Sequence, residues 1–137
     1  MDVWRHYQPN PKKRNTGDCS VRAISKALGV DWETAYILTA DAGLIMADMP
    51  DNNGVIGGLL QRNGFRKVTV PNTCPDCYTF RDFALDNPWG TFVLGTGTHV
   101  ATVQDGYIYD SYDSSEKVPI YVWYRDIPPS FVRLMYD

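Results

Sequence analysis

The chain has 137 residues, of which 44% are hydrophobic and 21% charged; this is the composition of one ordinary globular domain with room for a real core. A formal net charge of -3 argues against a general nucleic-acid binder, and no apolar run approaches the ~20 residues that span a bilayer. The opening "MDVWRHYQPNPKKR" has no signal-peptide core, so a cytoplasmic location without membrane attachment is expected.

The charge is uneven. Residues 1–26 hold six Lys/Arg against two acids, largely through Lys12-Lys13-Arg14, which reads as a solvated loop. Residues 1–17, with two prolines and two asparagines, read as an extended, irregular arm. "DCSVRAISKALG" places Val21, Ile24 and Leu28 on one helical face, with Asp18 as N-cap and Gly29 as stop. A second helix is expected from Asp31 to Gly43, and "GVIGGLLQRNG" reads as a third, shorter one. Residues 41–54, "DAGLIMADMPDNNG", are expected to form a loop that shapes a cleft. "FRKVTV" is a strand; "TFRDFALDNP" is a helix opened by a Thr79/Asp82 capping pattern.

From Gly90 the period changes. "TFVLG", "HVATVQ", "YIYDSY" and "IYVWYR" are β-rich runs separated by turn residues, and "FVRLMYD" could add another strand after Pro128-Pro129. The expectation is a single α+β domain over 1–137, with N-terminal helices packed on a C-terminal antiparallel meander.

Three cysteines cannot all pair within one chain. Cys74 and Cys77, as "CPDC", read first as a structural loop; a redox pair or half a zinc site is the alternative. Zinc wants about four ligands and no histidine is near in sequence, so no metal is expected.

Two of the remaining polar residues meet through a hairpin. In "GTHVATVQDGYIYD" (97–110), Asp105-Gly106 is the signal for a two-residue type I′ turn. Gln104 then faces Tyr107, His99 faces Tyr112, and Asp110 faces Ala101. His99 and Asp110 become diagonal neighbours on one face, beside Ala101, Val103 and Ile108. Asp113 falls opposite Thr98, on the other face. A carboxylate beside an imidazole can fix its tautomer and support its protonated form, or it can simply close a sheet edge. The nucleophile candidate is Cys19. It opens the first helix, where free amides and the macrodipole favour a thiolate; the plainer alternative is a small buried residue.

A helix-borne cysteine followed by a sheet carrying His and Asp resembles the papain-like cysteine peptidase fold. "PNP…TGDCSVRAISKALG", "CPDCYTFRDF", "GTHVATVQDG" and "YDS…PIYVWY" are similar to a group of small bacterial and phage papain-like proteins, over nearly the whole chain. The resemblance implies Cys19 as nucleophile, His99 as base and Asp110 as orienting residue. It departs from papain's C-G-[SA]-C-[WY] signature. The place of papain's oxyanion glutamine, six residues before the cysteine, is taken here by Lys13. Asn10, between Pro9 and Pro11, is the preferred substitute donor, with Gln8 and Asn15 as alternatives.

The expected function is therefore a papain-like cysteine hydrolase that cleaves a peptide, isopeptide or amide bond through a thioester; acyl transfer to an amine remains open. Its partner would be a peptide or protein substrate, without cofactor, nucleic acid or membrane. The alternatives are a catalytically silent binding module of the same fold, and a redox protein working through Cys74 and Cys77.

Overall fold

The computed structural model describes residues 2–125, so the strand expected in "FVRLMYD" lies outside the described residues. The elements are β1 (Trp4–His6), α1 (Cys19–Leu28), α2 (Trp32–Met46), α3 (Asn53–Arg62), β2 (Arg66–Thr69), α4 (Phe80–Asp86), β3 (Thr91–Gly95), β4 (Val100–Gln104), β5 (Tyr107–Asp110) and β6 (Tyr121–Tyr124). No helix among the described residues is long and apolar enough to cross a membrane.

The six strands form one sheet in the order β1-β5-β4-β3-β6-β2. Alternating side chains separate two cores. Val93, Val100 and Trp123 pack with α1, α2 and α3; Phe92, Leu94, Ala101, Val103, Ile108 and Val122 pack with Phe80 and Phe83 of α4. The fold is thus α+β, with three helices on one face and one on the other.

Two features of the expected sheet are corrected. It is mixed, because β1 pairs parallel to β5, with Trp4 opposite Ile108 and His6 opposite Asp110. It is also no simple meander, because β6 returns beside β3 and carries β2 at the edge. The arm is therefore not irregular throughout. Val3 is buried in the α4-side core and drags the next three residues into register.

Helix ends explain the other differences. Asp18 holds the N-cap position of α1 without capping it, since its carboxylate is turned to Arg22 and Trp32. Gly29 ends α1 in a left-handed conformation, and the Thr79/Asp82 capping box opens α4. α2 runs past Gly43 to Met46. Gly43 is a contact position rather than a stop: a Cβ there would sit 2.8 Å from the Asp48 carbonyl oxygen, where the chain folds back. Residues 41–46 are consequently helix, and the loop after α2 is shorter than expected.

Candidate active site

Cys19 is the first residue of α1 and half-buried; its backbone N–H has no intrahelical acceptor. His99 is delivered by a closed turn. Thr96 N–H donates to the His99 carbonyl at 2.8 Å, and the Thr96 hydroxyl accepts from the N–H groups of Thr98 (3.1 Å) and His99 (3.0 Å). Tyr121 braces that turn, donating to the Thr96 carbonyl at 3.1 Å and bonded to the Asn53 side chain. Gly95 permits this, because a Cβ there would overlap the Tyr121 ring.

The hairpin has the register that its turn demands. Asp105 and Gly106 both have positive φ, and Gln104 pairs with Tyr107, Val103 with Ile108, and Thr102 with Tyr109. His99 Nε2 and Asp110 Oδ2 lie 2.7 Å apart. Asp113 is exposed and accepts from the Ser115 N–H, away from the ring. With Nε2 committed to Asp110, Nδ1 is the nitrogen left for the Cys19 thiol. The Tyr112 hydroxyl stands 3.4 Å from the same Nδ1.

Asp110 is wholly buried, and all its acceptor capacity is used. Oδ2 takes His99 and the Ser114 hydroxyl, both at 2.7 Å; Oδ1 takes Arg22 Nε at 3.1 Å and the Ser111 N–H at 2.8 Å. Its backbone carbonyl is held by the Trp4 indole at 3.1 Å and the Tyr7 N–H at 2.8 Å, so the parallel strand β1 also positions it. Arg22, itself buried, reaches Asp18 Oδ1 at 2.8 Å, and Asp18 Oδ2 accepts from the Trp32 indole at 2.9 Å.

Arg22 and Ser114 are site residues that the sequence reading missed. Arg22 left a trace, four residues after Asp18 and three after Cys19, as a charge next to Val21 and Ile24 on the inner face of the helix. Ser114, in an aperiodic "DSYDSS" stretch, left none.

The electrostatics follow from these contacts. Burial alone would raise the Cys19 thiol, but hydrogen bonds from His99 and the Val100 backbone, with the charges of His99 and Arg22, hold it below the ordinary value. Burial pulls His99 down, yet the hydrogen bonds and charges of Asp110 and Cys19 win, and its pKa is pushed up to about 9. Burial disfavours the Asp110 carboxylate; His99, Ser114 and Arg22 outweigh it and keep the pKa low. Both shifts act in the direction of a thiolate beside an imidazolium.

Cys19 and His99 open on a cavity of about 560 Å³, walled also by Val100, Thr98, Met49 and Asn53. Residues 49–53 reach it from the loop that was expected to shape a cleft. None of the three amide candidates lines this cavity. Gln8 and Asn15 line a neighbouring one with Tyr112, and Asn10 lines a third with Asp18 and Ser20. Gln8 Oε1 accepts from the Asn10 N–H, and Asn10 Oδ1 from the Lys12 N–H, so both side chains brace the arm.

Cys74 and Cys77 are joined as a disulfide in the loop between β2 and α4. Cys74 is exposed, and α4 begins three residues after Cys77, so neither sulfur stands at a helix start. Among the described residues no cluster of His, Cys, Asp or Glu is placed to hold a metal ion. Comparison of the chain with protein-family models, with curated proteins and with solved structures finds no match in any of the three.

Proposed function

We propose that the chain is a cysteine hydrolase of papain-like type, acting on a peptide, isopeptide or amide bond. The observation that carries this reading is the buried Asp110–His99 contact at 2.7 Å, set beside a thiol at a helix N-terminus whose pKa is lowered by His99. A sheet-closing polar pair needs no thiol; a relay does.

In the proposed reaction the Cys19 thiolate attacks the carbonyl carbon, forming the C–S bond while the C=O π pair moves to oxygen. The Cys19 backbone N–H, free at the start of α1, is the donor available to that oxyanion. The oxyanion collapses, the C–N bond breaks, and His99 gives its Nδ1 proton to the leaving amine. Neutral His99 then takes a proton from water, whose oxygen attacks the thioester; collapse releases the acid and restores the thiolate–imidazolium pair. Asp110 holds the ring and stays ionised throughout, with Arg22 compensating its charge.

A binding module without turnover is the second reading, favoured by Leu44 and Ile45 on α2, which are 80% and 75% exposed. The test is intact-mass analysis after incubation with activated acyl esters and amides. An acyl adduct on Cys19 that forms and decays, absent from Cys19→Ser, supports the hydrolase. A stable protein with no adduct under any acyl donor supports the module.

A further inference from the structure

A developing oxyanion is held best by more than one donor, and the backbone N–H of Cys19 is a single one. The amides of Gln8, Asn10 and Asn15 do not line the cavity of Cys19 and His99, and the Asn53 amide is spent on the Thr96 carbonyl and the Tyr121 hydroxyl. Tyr112 instead brings a hydroxyl to the reacting nitrogen. Its oxygen stands 3.4 Å from His99 Nδ1, and its ring packs on the imidazole with centroids 5.3 Å apart at 50°.

The placement is built into the triad. Asp110 takes the Ser111 N–H on one oxygen and the Ser114 hydroxyl on the other, so the carboxylate that holds His99 also clamps the chain on both sides of Tyr112. Tyr112 stands at the end of α1 where an oxyanion would form. It lines a cavity with Tyr7, Gln8, Pro9, Lys13 and Asn15, and that arm leads directly into Asp18 and Cys19.

Proton counting decides which atom Tyr112 offers. His99 gives its Nε2–H to Asp110, and its raised pKa keeps Nδ1 protonated, so the imidazolium has no lone pair with which to accept. The phenol oxygen is at most an acceptor there, and among the described residues the hydroxyl meets no other hydrogen-bonding group. Its hydrogen is therefore unspent. Tyr112 is 45% exposed, so water takes that hydrogen until a substrate oxygen replaces it.

We infer that the Tyr112 hydroxyl is the second oxyanion donor, a catalytic residue that touches the tetrahedral intermediate. The inference rests on the reading of Cys19 as the nucleophile. When the thiolate adds to the carbonyl carbon, the π pair moves to oxygen, which receives the Cys19 N–H and the Tyr112 O–H; the phenol keeps its proton. On collapse the pair returns to the C–O bond, the C–N bond breaks, and both donors are free for the later addition of water. Loss of an enclosed oxyanion donor slows the reaction about 100- to 1000-fold; for a half-exposed hydroxyl that water replaces in part, about 10- to 100-fold is expected.

Tyr112→Phe removes the hydroxyl and keeps the ring against His99. The full chain of wild type and variant is treated with p-nitrophenyl acetate, which acylates Cys19 through an oxyanion, and with iodoacetamide, which alkylates it at a saturated carbon without one. In the variant, acylation should fall about 10- to 100-fold, while the alkylation rate and its pH profile stay within about twofold. Thermal unfolding confirms that the variant, with its ring retained, folds. Equal acylation of the two proteins overturns the inference and leaves the nucleophile standing. A parallel fall in both rates also overturns it, because the hydroxyl would then act on the thiol through His99. A wild type that iodoacetamide alkylates and the ester does not acylate removes the hydrolase reading, and the inference with it.

Discussion

Arg22 Nη2 stands 3.0 Å from Asp110 Oδ1, with side-chain exposures of 5% and 0%, and the same guanidinium reaches Asp18 at 2.8 Å. One buried cation therefore compensates two buried carboxylates, one of which holds the imidazole. Deleting one partner of a buried ion pair costs about 3–5 kcal/mol, because the remaining charge is stranded. For a domain of this size each kcal/mol shifts the melting point by roughly 2–8 °C. Arg22→Met should thus lower the melting temperature by at least about six degrees. Arg22→Lys should recover only part of the loss, since an ammonium cannot bridge two carboxylates as a planar fork does. Thermal unfolding of the three proteins checks both statements, and a Met variant that melts with the wild type would show that Arg22 does not compensate the two buried carboxylates.

Asp110, not Asp113, should govern thiol reactivity. Asp110→Asn keeps the size and one acceptor but withdraws support for the imidazolium. It should reduce Cys19 labelling on the order of tenfold or more, while Asp113→Asn, altering an exposed turn, should leave labelling within about twofold. The reverse ranking, measured by mass spectrometry, would show that another carboxylate orients the ring.

Folding stability should carry the signature of His99. Its folded pKa of about 9 lies above the ordinary value of 6.5, so the protonated ring favours the native state. The contribution is fully present below pH 6.5 and is lost as pH rises through about 9. Urea unfolding of wild type and His99→Gln at intervals from pH 6 to 10 should show the wild-type advantage shrinking across that window. A difference that stays flat with pH would mean that the ring is neutral in the folded protein.

His99→Ala should abolish acylation of Cys19 yet unfold the protein far less than Arg22→Met. Asp110 keeps Arg22, Ser114 and the Ser111 N–H when the ring is gone, so no carboxylate is stranded. A loss of about 1.5–3 kcal/mol is expected, the ordinary range for one hydrogen bond to a charged group. A melting drop equal to that of Arg22→Met would assign His99 a structural role instead.

The parts of the fold legible in the sequence were those with a local cause. The Asp105-Gly106 turn sets the register from Gln104–Tyr107 to Thr102–Tyr109, and the apolar spacing of Val21, Ile24 and Leu28 locates α1. Thr79 and Asp82 announced the start of α4. What escaped depends on tertiary contact. β1 is three residues long with Arg5 and His6 exposed, too short for a period to register, and only its partner β5 makes it a strand. Gly43 resembled a helix stop because its actual reason, the returning carbonyl of Asp48, is invisible in one dimension. The site divides in the same way. Cys19, His99 and Asp110 are each tied to a helix start or a turn, whereas the amide candidates Gln8, Asn10 and Asn15 have only their residue type within the arm to recommend them, and they line other cavities. Arg22 belongs to the site through residues 88 positions away, a contact no local pattern specifies.

The central claim is that Cys19 is a thiolate because His99 makes it one, and the pH dependence of its alkylation tests this most directly. With Cys74 and Cys77 joined, Cys19 is the free thiol, so one iodoacetamide rate reports one sulfur. The same chain unfolded in urea gives the reference titration, near the ordinary thiol value of about 8.5. The folded wild type should titrate below that reference, and His99→Gln should move the curve back up toward it. A folded wild-type curve at or above the urea reference, unchanged by His99→Gln, would contradict the claim.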